Sequence, residues 1–343
     1  MRIAIDAGNF ARDRRGMGRI ARTIANGLLD AGDVATTFLV ERPRDEAGIR
    51  EAFAGRAIDV RPAASALAAD AYDVAWFPWN GMRYDAAAPV LLTLNDVFAF
   101  TDAHPERIAR EREQAPIRRG SARADRIVTI SQWSKGEIAR VLEIDPQRIT
   151  VIAPAPDPFF APGDDNPFMA AWRYVLLVGT REPRKNARVV FEACARALLG
   201  PRDALVIAGG LSRENERLLR ELGVQYRHVP DPDDETLRAL YRNARAVAVP
   251  STAEGFGLVA VEAMASGAPV VAARTSALPE ATGGGAMLLD PHAVDAWSDA
   301  FARLFADDAL AHDLGARGVA HFAFASRERP LRAYLEVLRR LSR

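Results

Sequence analysis

Ser251-Thr-Ala-Glu-Gly-Phe-Gly-Leu-Val-Ala-Val-Glu-Ala-Met-Ala-Ser-Gly-Ala-Pro269 is the stretch whose reading decides the fold. The apolar run Ala246 to Val249 leads into it and stops at Pro250, as a buried parallel strand does. Leu258 to Ala265 is made of good helix formers with apolar residues on most faces, which predicts a short buried helix. Gly267 ends that helix and Pro269 prevents its continuation. Val270 to Ala273 then reads as the next strand. The whole is one βαβ unit whose strand-to-helix loop carries a glutamate and two glycines.

That loop has a chemistry of its own. Gly255 and Gly257 let backbone approach a ligand closely, and the first N–H groups of the helix point to the same place, where an anion is favoured. Two carboxylates, Glu254 and Glu262, flank the spot. Carboxylates accept hydrogen bonds from sugar hydroxyls, so the set suits a ligand that is part phosphate and part polyol. Gly-Phe-Gly alone is equally compatible with an acid favoured by the helix dipole and a surface glutamate.

Composition bounds the remaining choices. A chain of 343 residues divides naturally into two domains, and 49% hydrophobic content is that of a globular protein. The 45 basic residues balance 45 acidic ones, so no nucleic-acid partner is expected. Cys194 is the only cysteine, which fits a reducing compartment and excludes a cysteine metal cluster. Met1 to Asp6 reads as a strand and not as a signal peptide, and no run approaches the ~20 apolar residues of a membrane span. Lys135 and Lys185 are the only lysines.

Taken in order, Arg2 to Asp6 is a short buried strand, followed by a loop with Gly16-Met-Gly18 and a helix from Arg19 to Leu29. Strand, glycine loop and helix open a nucleotide-type fold, although Gly-x-Gly also makes a simple tight turn. Further strands at Thr37–Val40, Ile58–Val60, Val74–Phe77 and Val90–Leu94 alternate with helices, which predicts an α/β, doubly wound parallel sheet. Asn95 and Asp96 follow at a strand's carboxyl end, where such sheets bind ligands. The segment 104–126 holds seven arginines against four acids and reads first as a solvated charged face. Ser131 is an N-cap for the helix after Ile127–Ile130. Prolines at 154, 156, 158, 162 and 167 mark a linker. After the strand Tyr174–Gly179, Arg184 and Lys185 form either a phosphate clamp or two basic residues on a turn. Asp231-Pro-Asp-Asp234 is read as a helix cap at Asp233 rather than a metal site.

The stretch at 251–269 resembles the Glu-x7-Glu element of retaining glycosyltransferases of family 4, GT-B type. The likeness continues through Ser276-Ala-Leu-Pro-Glu280, Leu288-Leu-Asp-Pro291 and Gly179-Thr-Arg-Glu-Pro-Arg-Lys-Asn186, and it covers nearly the whole chain. It implies two Rossmann-like domains with parallel sheets facing across a cleft: 1–160 on the acceptor side, a linker at 161–172, and a nucleotide-sugar domain at 173–325. A final helix at 326–343 would pack back on the first domain. By this resemblance Glu262 holds the ribose, Glu254 the transferred sugar, and Arg184 and Lys185 the diphosphate. Phe256, Gly257 and Leu258 offer backbone groups to sugar or phosphate, Val229 lies at the base, and Gly16, Gly18 and Ser131 line the donor and acceptor side. Thr180 stands where many relatives have arginine, so Arg181 or Arg184 serves instead. Asn95 stands where histidine is usual, beside Asp96.

The implied reaction moves a hexose, mannose from guanosine diphosphate mannose being favoured, from a nucleotide sugar to a glycan or lipid-linked acceptor. No metal is expected. The implied setting is bacterial surface-glycan assembly in the cytoplasm, with a peripheral membrane contact through 104–126. The alternatives are a non-catalytic nucleotide-sugar-binding protein, motivated by Asn95, and a GT-B epimerase or phosphorylase.

Overall fold

The computed structural model describes residues 1–13, 16–68, 70–102, 106–163, 171–198, 200–323, 325 and 328–343. Parts of three expected segments lie outside the described residues: 104–105 of the arginine-rich stretch, 164–170 of the linker and 326–327 before the last helix. The chain divides into two compact units, Met1–Ala155 with Ser326–Arg343, and Pro156–Ala325. The division falls inside the proline-rich run, after Ala155, and Phe160 beyond it is buried in the second unit's core with Phe159 packed beside it.

The strands of the first unit are β1 (Arg2–Asp6), β2 (Ala35–Val40), β3 (Asp59–Pro62), β4 (Val74–Phe77), β5 (Val90–Thr93), β6 (Arg126–Thr129) and β7 (Ile149–Val151). Helices α1 (Met17–Asp30), α2 (Glu46–Ala52), α3 (Phe98–Thr101), α4 (Arg107–Arg123) and α5 (Gln132–Leu142) connect them. The sheet order is β3-β2-β1-β4-β5-β6-β7, all parallel. Period-two alternation sorts its side chains between two faces. Ile3, Ile5, Phe38, Trp76, Leu91 and Val128 pack on one side, while Ala4, Leu39, Phe77, Leu92 and Ile127 pack on the other. Both faces are covered, which is why these strands read as unbroken apolar runs.

The second unit has β8 (Arg173–Val178), β9 (Asp203–Ala208), β10 (Tyr226–Val229), β11 (Ala246–Val249), β12 (Val270–Ala273) and β13 (Met287–Leu289). Its helices are α6 (Ala187–Ala197), α7 (Arg213–Glu221), α8 (Asp234–Asn243), α9 (Leu258–Ala265), α10 (Leu278–Thr282), α11 (Val294–Ala306) and α12 (Asp308–Phe322). The parallel order β10-β9-β8-β11-β12-β13 is that of a dinucleotide-binding sheet. The last helix, α13 (Glu328–Leu341), belongs to the first unit and buries Tyr334, Leu335, Val337 and Leu338 in its core. Tyr334 is anchored there: its hydroxyl lies 3.2 Å from Thr93 Oγ1, which also accepts from Trp76 Nε1 at 2.9 Å.

α9 occupies the residues expected of it, and Gly267 follows it in the left-handed region at φ 87°. One expectation shifts: α1 begins at Met17, so Gly18 lies inside the helix instead of the loop before it. β9 ends at Ala208, leaving Gly209 and Gly210 in the loop beyond.

Candidate active site

In each sheet the strand order reverses beside the first strand, and ligands of such folds bind at the carboxyl ends around that reversal. In the second unit the reversal lies between β8 and β11. The loop after β8 carries Arg184 and Lys185, and the loop after β11 carries Glu254. The two loops are stitched together by backbone and amide bonds. Thr252 N donates to Arg184 O at 2.8 Å, and Asn186 Nδ2 donates to Pro250 O at 3.1 Å and to Pro291 O at 2.8 Å. Asn186 does this from a left-handed conformation, φ 50°, which asparagine tolerates better than most residues.

The stitching makes a partly buried ionic cluster around the buried carboxylate of Glu254. Lys185 Nζ donates to Glu254 Oε1 at 2.7 Å, and Arg184 Nη1 donates to Glu254 Oε2 at 3.2 Å and to Ala253 O at 3.1 Å. Arg184 also pairs with Glu182 at 2.5 Å. Ser251 Oγ donates to Glu254 Oε1 at 2.8 Å. The Glu254 side chain is only 11% exposed. Burial by itself raises the Glu254 carboxyl, but the charges of Lys185 and Arg184, with the hydrogen bonds from Lys185 and Ser251, outweigh it. The group is therefore held below the usual carboxylate range and stays ionised.

Beside this cluster α9 begins at Gly257, its N-cap residue at φ 101°, which has no side chain with which to cap the first turn. Leu258 is the first residue of that turn, and Phe256 packs underneath, buried. The positive end of the helix dipole thus stands next to two cations. Gly257 has no room for a side chain, because a Cβ there would lie 2.6 Å from Leu278 Cδ2. One turn into α9, Glu262 is buried rather than on the surface, with Oε2 accepting from Tyr241 OH at 3.3 Å.

The loops after β8 and β9 also meet. Thr180 Oγ1 donates to Gly210 O at 2.7 Å, and exposed Arg181 lies across Gly210, whose added Cβ would sit 2.1 Å from its Nε. Val229 ends β10 and its carbonyl accepts from Gly209 N at 2.8 Å. Asp233 is a helix cap, accepting from Thr236 N at 2.8 Å. Among the described residues no group of His, Cys, Asp and Glu is placed to hold a metal.

In the first unit the carboxyl ends of β1, β4 and β5 gather a second polar set. Asn95 N donates to Asn80 Oδ1 at 2.7 Å. Asn80 Nδ2 reaches Asp96 Oδ2 at 3.4 Å, while Asp96 Oδ1 accepts from Phe98 N at 3.1 Å. Asn95 is buried, and its Oδ1 has no hydrogen-bond partner among the described residues. An acceptor left so costs about 1–3 kcal/mol, and a ligand hydroxyl is the kind of donor that satisfies it. Asp6, closing β1, is also buried: it accepts from Gly8 N at 3.1 Å and Tyr84 OH at 3.2 Å. Burial pushes its carboxyl up to about 6.

Two expected residues are committed within their own elements. Gly18 N donates to Asp13 Oδ2 at 3.0 Å, and its missing Cβ leaves space for the Asp13 carbonyl. Ser131 Oγ caps α5, accepting from Ser134 N at 2.9 Å. Gly16 precedes α1 at φ 51°, with no atom of the described residues within 4 Å of where a Cβ would be. Ser251, Tyr241, Asn80 and Asp6 are the polar partners that sequence reasoning missed. Only Asp6 left a signal, as a lone acid ending an apolar strand.

Residues 169–320 match the family described as Glycosyl transferases group 1. The chain is 36% identical over 222 residues to a D-inositol 3-phosphate glycosyltransferase of Corynebacterium glutamicum (strain R), covering 58% of this chain and 53% of that protein. It is 33% identical over 248 residues to O-antigen chain mannosyltransferase B of Escherichia coli, covering 66% and 64%. It therefore spans about half to two thirds of the length of these curated relatives. Among solved structures, Anabaena HepE in complex with UDP and glucose is matched with a TM-score of 0.79 at 16% identity, over 98% of this chain and 99% of that one. That likeness shows a shared fold, the GT-B type with two Rossmann-like units.

Proposed function

We propose that the chain, whose residues 169–320 match the family described as Glycosyl transferases group 1, is a member of that family and a retaining hexosyltransferase using a nucleotide diphosphate sugar. The observation that carries this reading is the convergence of Lys185, Arg184 and the uncapped start of α9 at the β8/β11 reversal.

Breaking the bond between sugar and diphosphate leaves positive charge on the sugar ring and negative charge on the departing phosphates. Preorganised cations and amides aimed at the phosphates stabilise that separation, typically the largest single contribution to such catalysis. Lys185 supplies a point charge, Arg184 a planar fork and the first turn of α9 its N–H groups. Backbone groups of Phe256, Gly257 and Leu258 lie along the same turn, and Glu254 and Glu262 take the sugar and ribose hydroxyls. Val229 and the Gly209-Gly210 loop serve the base, with Arg181 an auxiliary phosphate contact. The acceptor hydroxyl attacks from the face the diphosphate leaves, and the diphosphate takes its proton. In the first unit Asn95, Asp96 and Gly16 serve the transferred sugar and the acceptor, with Gly18 and Ser131 holding the loops that present them.

The mannosyltransferase among the relatives supports mannose, and so guanosine diphosphate mannose, as donor. A glycan or lipid-linked acceptor in bacterial polysaccharide assembly fits that same relative's name. A cytoplasmic site of action, with α4 touching the inner membrane face, is supported by the single buried cysteine and the arginines of that helix. No helix among the described residues is long and apolar enough to cross a membrane.

The test is a panel of nucleotide sugars, read first by thermal shift and then by transfer to hydroxyl acceptors with the product's anomeric configuration determined. Ligand binding to the native state raises its midpoint. A donor that shifts the midpoint and yields a retained product supports the reading, and failure of every donor to bind defeats it. Binding without turnover would favour a non-catalytic role, for which Asn95 in place of histidine is the motive.

A further inference from the structure

The cations assigned to the diphosphate are paired with a carboxylate of the same chain. Glu254 receives Lys185 at 2.7 Å and Arg184 at 3.2 Å, while Ser251 fixes its Oε1 at 2.8 Å. Its two oxygens therefore occupy the same donors that phosphate oxygens need. Ionisation is secured by those partners, so the carboxylate does not leave the competition by taking up a proton near neutral pH. Its backbone is pinned as well, since Glu254 N donates to Ser276 Oγ at 2.9 Å.

A diphosphate entering this cluster must share or displace those contacts, and a carboxylate stripped of its cations in a buried place is costly unless something donates to it. Free nucleoside diphosphate brings only its ribose and base donors, and the ribose hydroxyls are assigned to Glu262, so none is left for Glu254. A nucleotide sugar brings one, because the hydroxyls of its hexose donate to a carboxylate. We propose that Glu254 is a specificity-determining residue that sets the preference for nucleotide sugar over spent nucleoside diphosphate, by competing with the diphosphate for Lys185 and Arg184 unless a sugar compensates it. The inference rests on the reading of this cluster as the diphosphate site. Its consequence is product release: once the hexose is transferred, Glu254 reclaims the two cations and helps expel the diphosphate.

The sign of one mutational effect separates this from an ordinary ligand contact. Glu254→Gln keeps the shape of the side chain and removes its charge. Uridine and guanosine diphosphate, and UDP-glucose and GDP-mannose, are titrated calorimetrically into wild type and variant. The variant is expected to bind the nucleoside diphosphate at least about tenfold more tightly than wild type. The preference for the matching sugar nucleotide should shrink or reverse. Unchanged or weaker diphosphate binding by a folded variant overturns the inference while leaving the site assignment intact. Wild type binding none of the four compounds instead defeats the site assignment. If Glu254→Gln does not fold, Glu254→Asp, which retracts the carboxylate by one methylene, is held to the same sign.

Discussion

Replacing Lys185 by alanine separates catalytic from structural loss at the cluster. Lys185 and Glu254 meet at 2.7 Å with side chains 18% and 11% exposed. Removing one partner of a fully buried pair costs about 3–5 kcal/mol. Here Arg184 at 3.2 Å and Ser251 at 2.8 Å remain on Glu254, so the expected loss is smaller, roughly 1–3 kcal/mol. The second unit should therefore still fold, supported by a core that lies mostly away from this loop. Catalysis has no such reserve, since losing one preorganised donor to the departing charge lowers kcat by about 10²–10³. Lys185→Arg retains charge without the point geometry and should fall between the two. Urea unfolding followed by tryptophan fluorescence measures the first quantity, and initial rates with a saturating nucleotide sugar measure the second. Turnover of Lys185→Ala within about threefold of wild type would refute the assigned role.

Three further outcomes follow from named contacts. Asp6 has its folded carboxyl raised from 3.8 to about 6, so the folded state binds the proton more tightly and stability falls as pH rises from about 4 to about 6. At about 1.4 kcal/mol per pH unit the cost above that window is ~3 kcal/mol. Asp6→Asn, whose Oδ1 still accepts from Gly8 and Tyr84, should recover much of it at pH 8 and little at pH 4; an offset equal at both pH values in urea melts would contradict this. Gly257→Ala meets left-handed backbone at φ 101° and Leu278 Cδ2 at 2.6 Å. It should destabilise the second unit by about 2–4 kcal/mol, and a loss under ~1 kcal/mol would show the turn to be adaptable. Gly210→Ala drives the exposed Arg181 side chain off its resting place. Stability should stay within about 0.5 kcal/mol of wild type, while the donor KM rises severalfold with kcat little changed.

Much of this was legible because it is local. Val74–Phe77, Val270–Ala273 and Leu258–Ala265 are bounded by proline, glycine or polar residues, and each occupies its expected span. The caps at Ser131 and Asp233 were equally readable, since a capping side chain reaches only a few residues along the chain. Gly18 was misplaced because its need for glycine comes from the Asp13 carbonyl folding back on it, a tertiary contact that propensity does not encode. The same holds for Glu262, where Tyr241 closes over the carboxylate from α8. Lys185 and Glu254 were each identified as candidates, but their direct ion pair spans 69 residues of sequence and depends on the sheet order.

The claim beneath all of this is that one pyrophosphate is held between Lys185, Arg184 and the first turn of α9. Calorimetric titration of wild type and Lys185→Ala with uridine and guanosine mono- and diphosphates tests it most directly. For the base the site accepts, wild type should bind the diphosphate at least about tenfold more tightly than the monophosphate, and the variant should lose most of that margin. Equal affinity for mono- and diphosphate in wild type, or a margin untouched by the substitution, would contradict it.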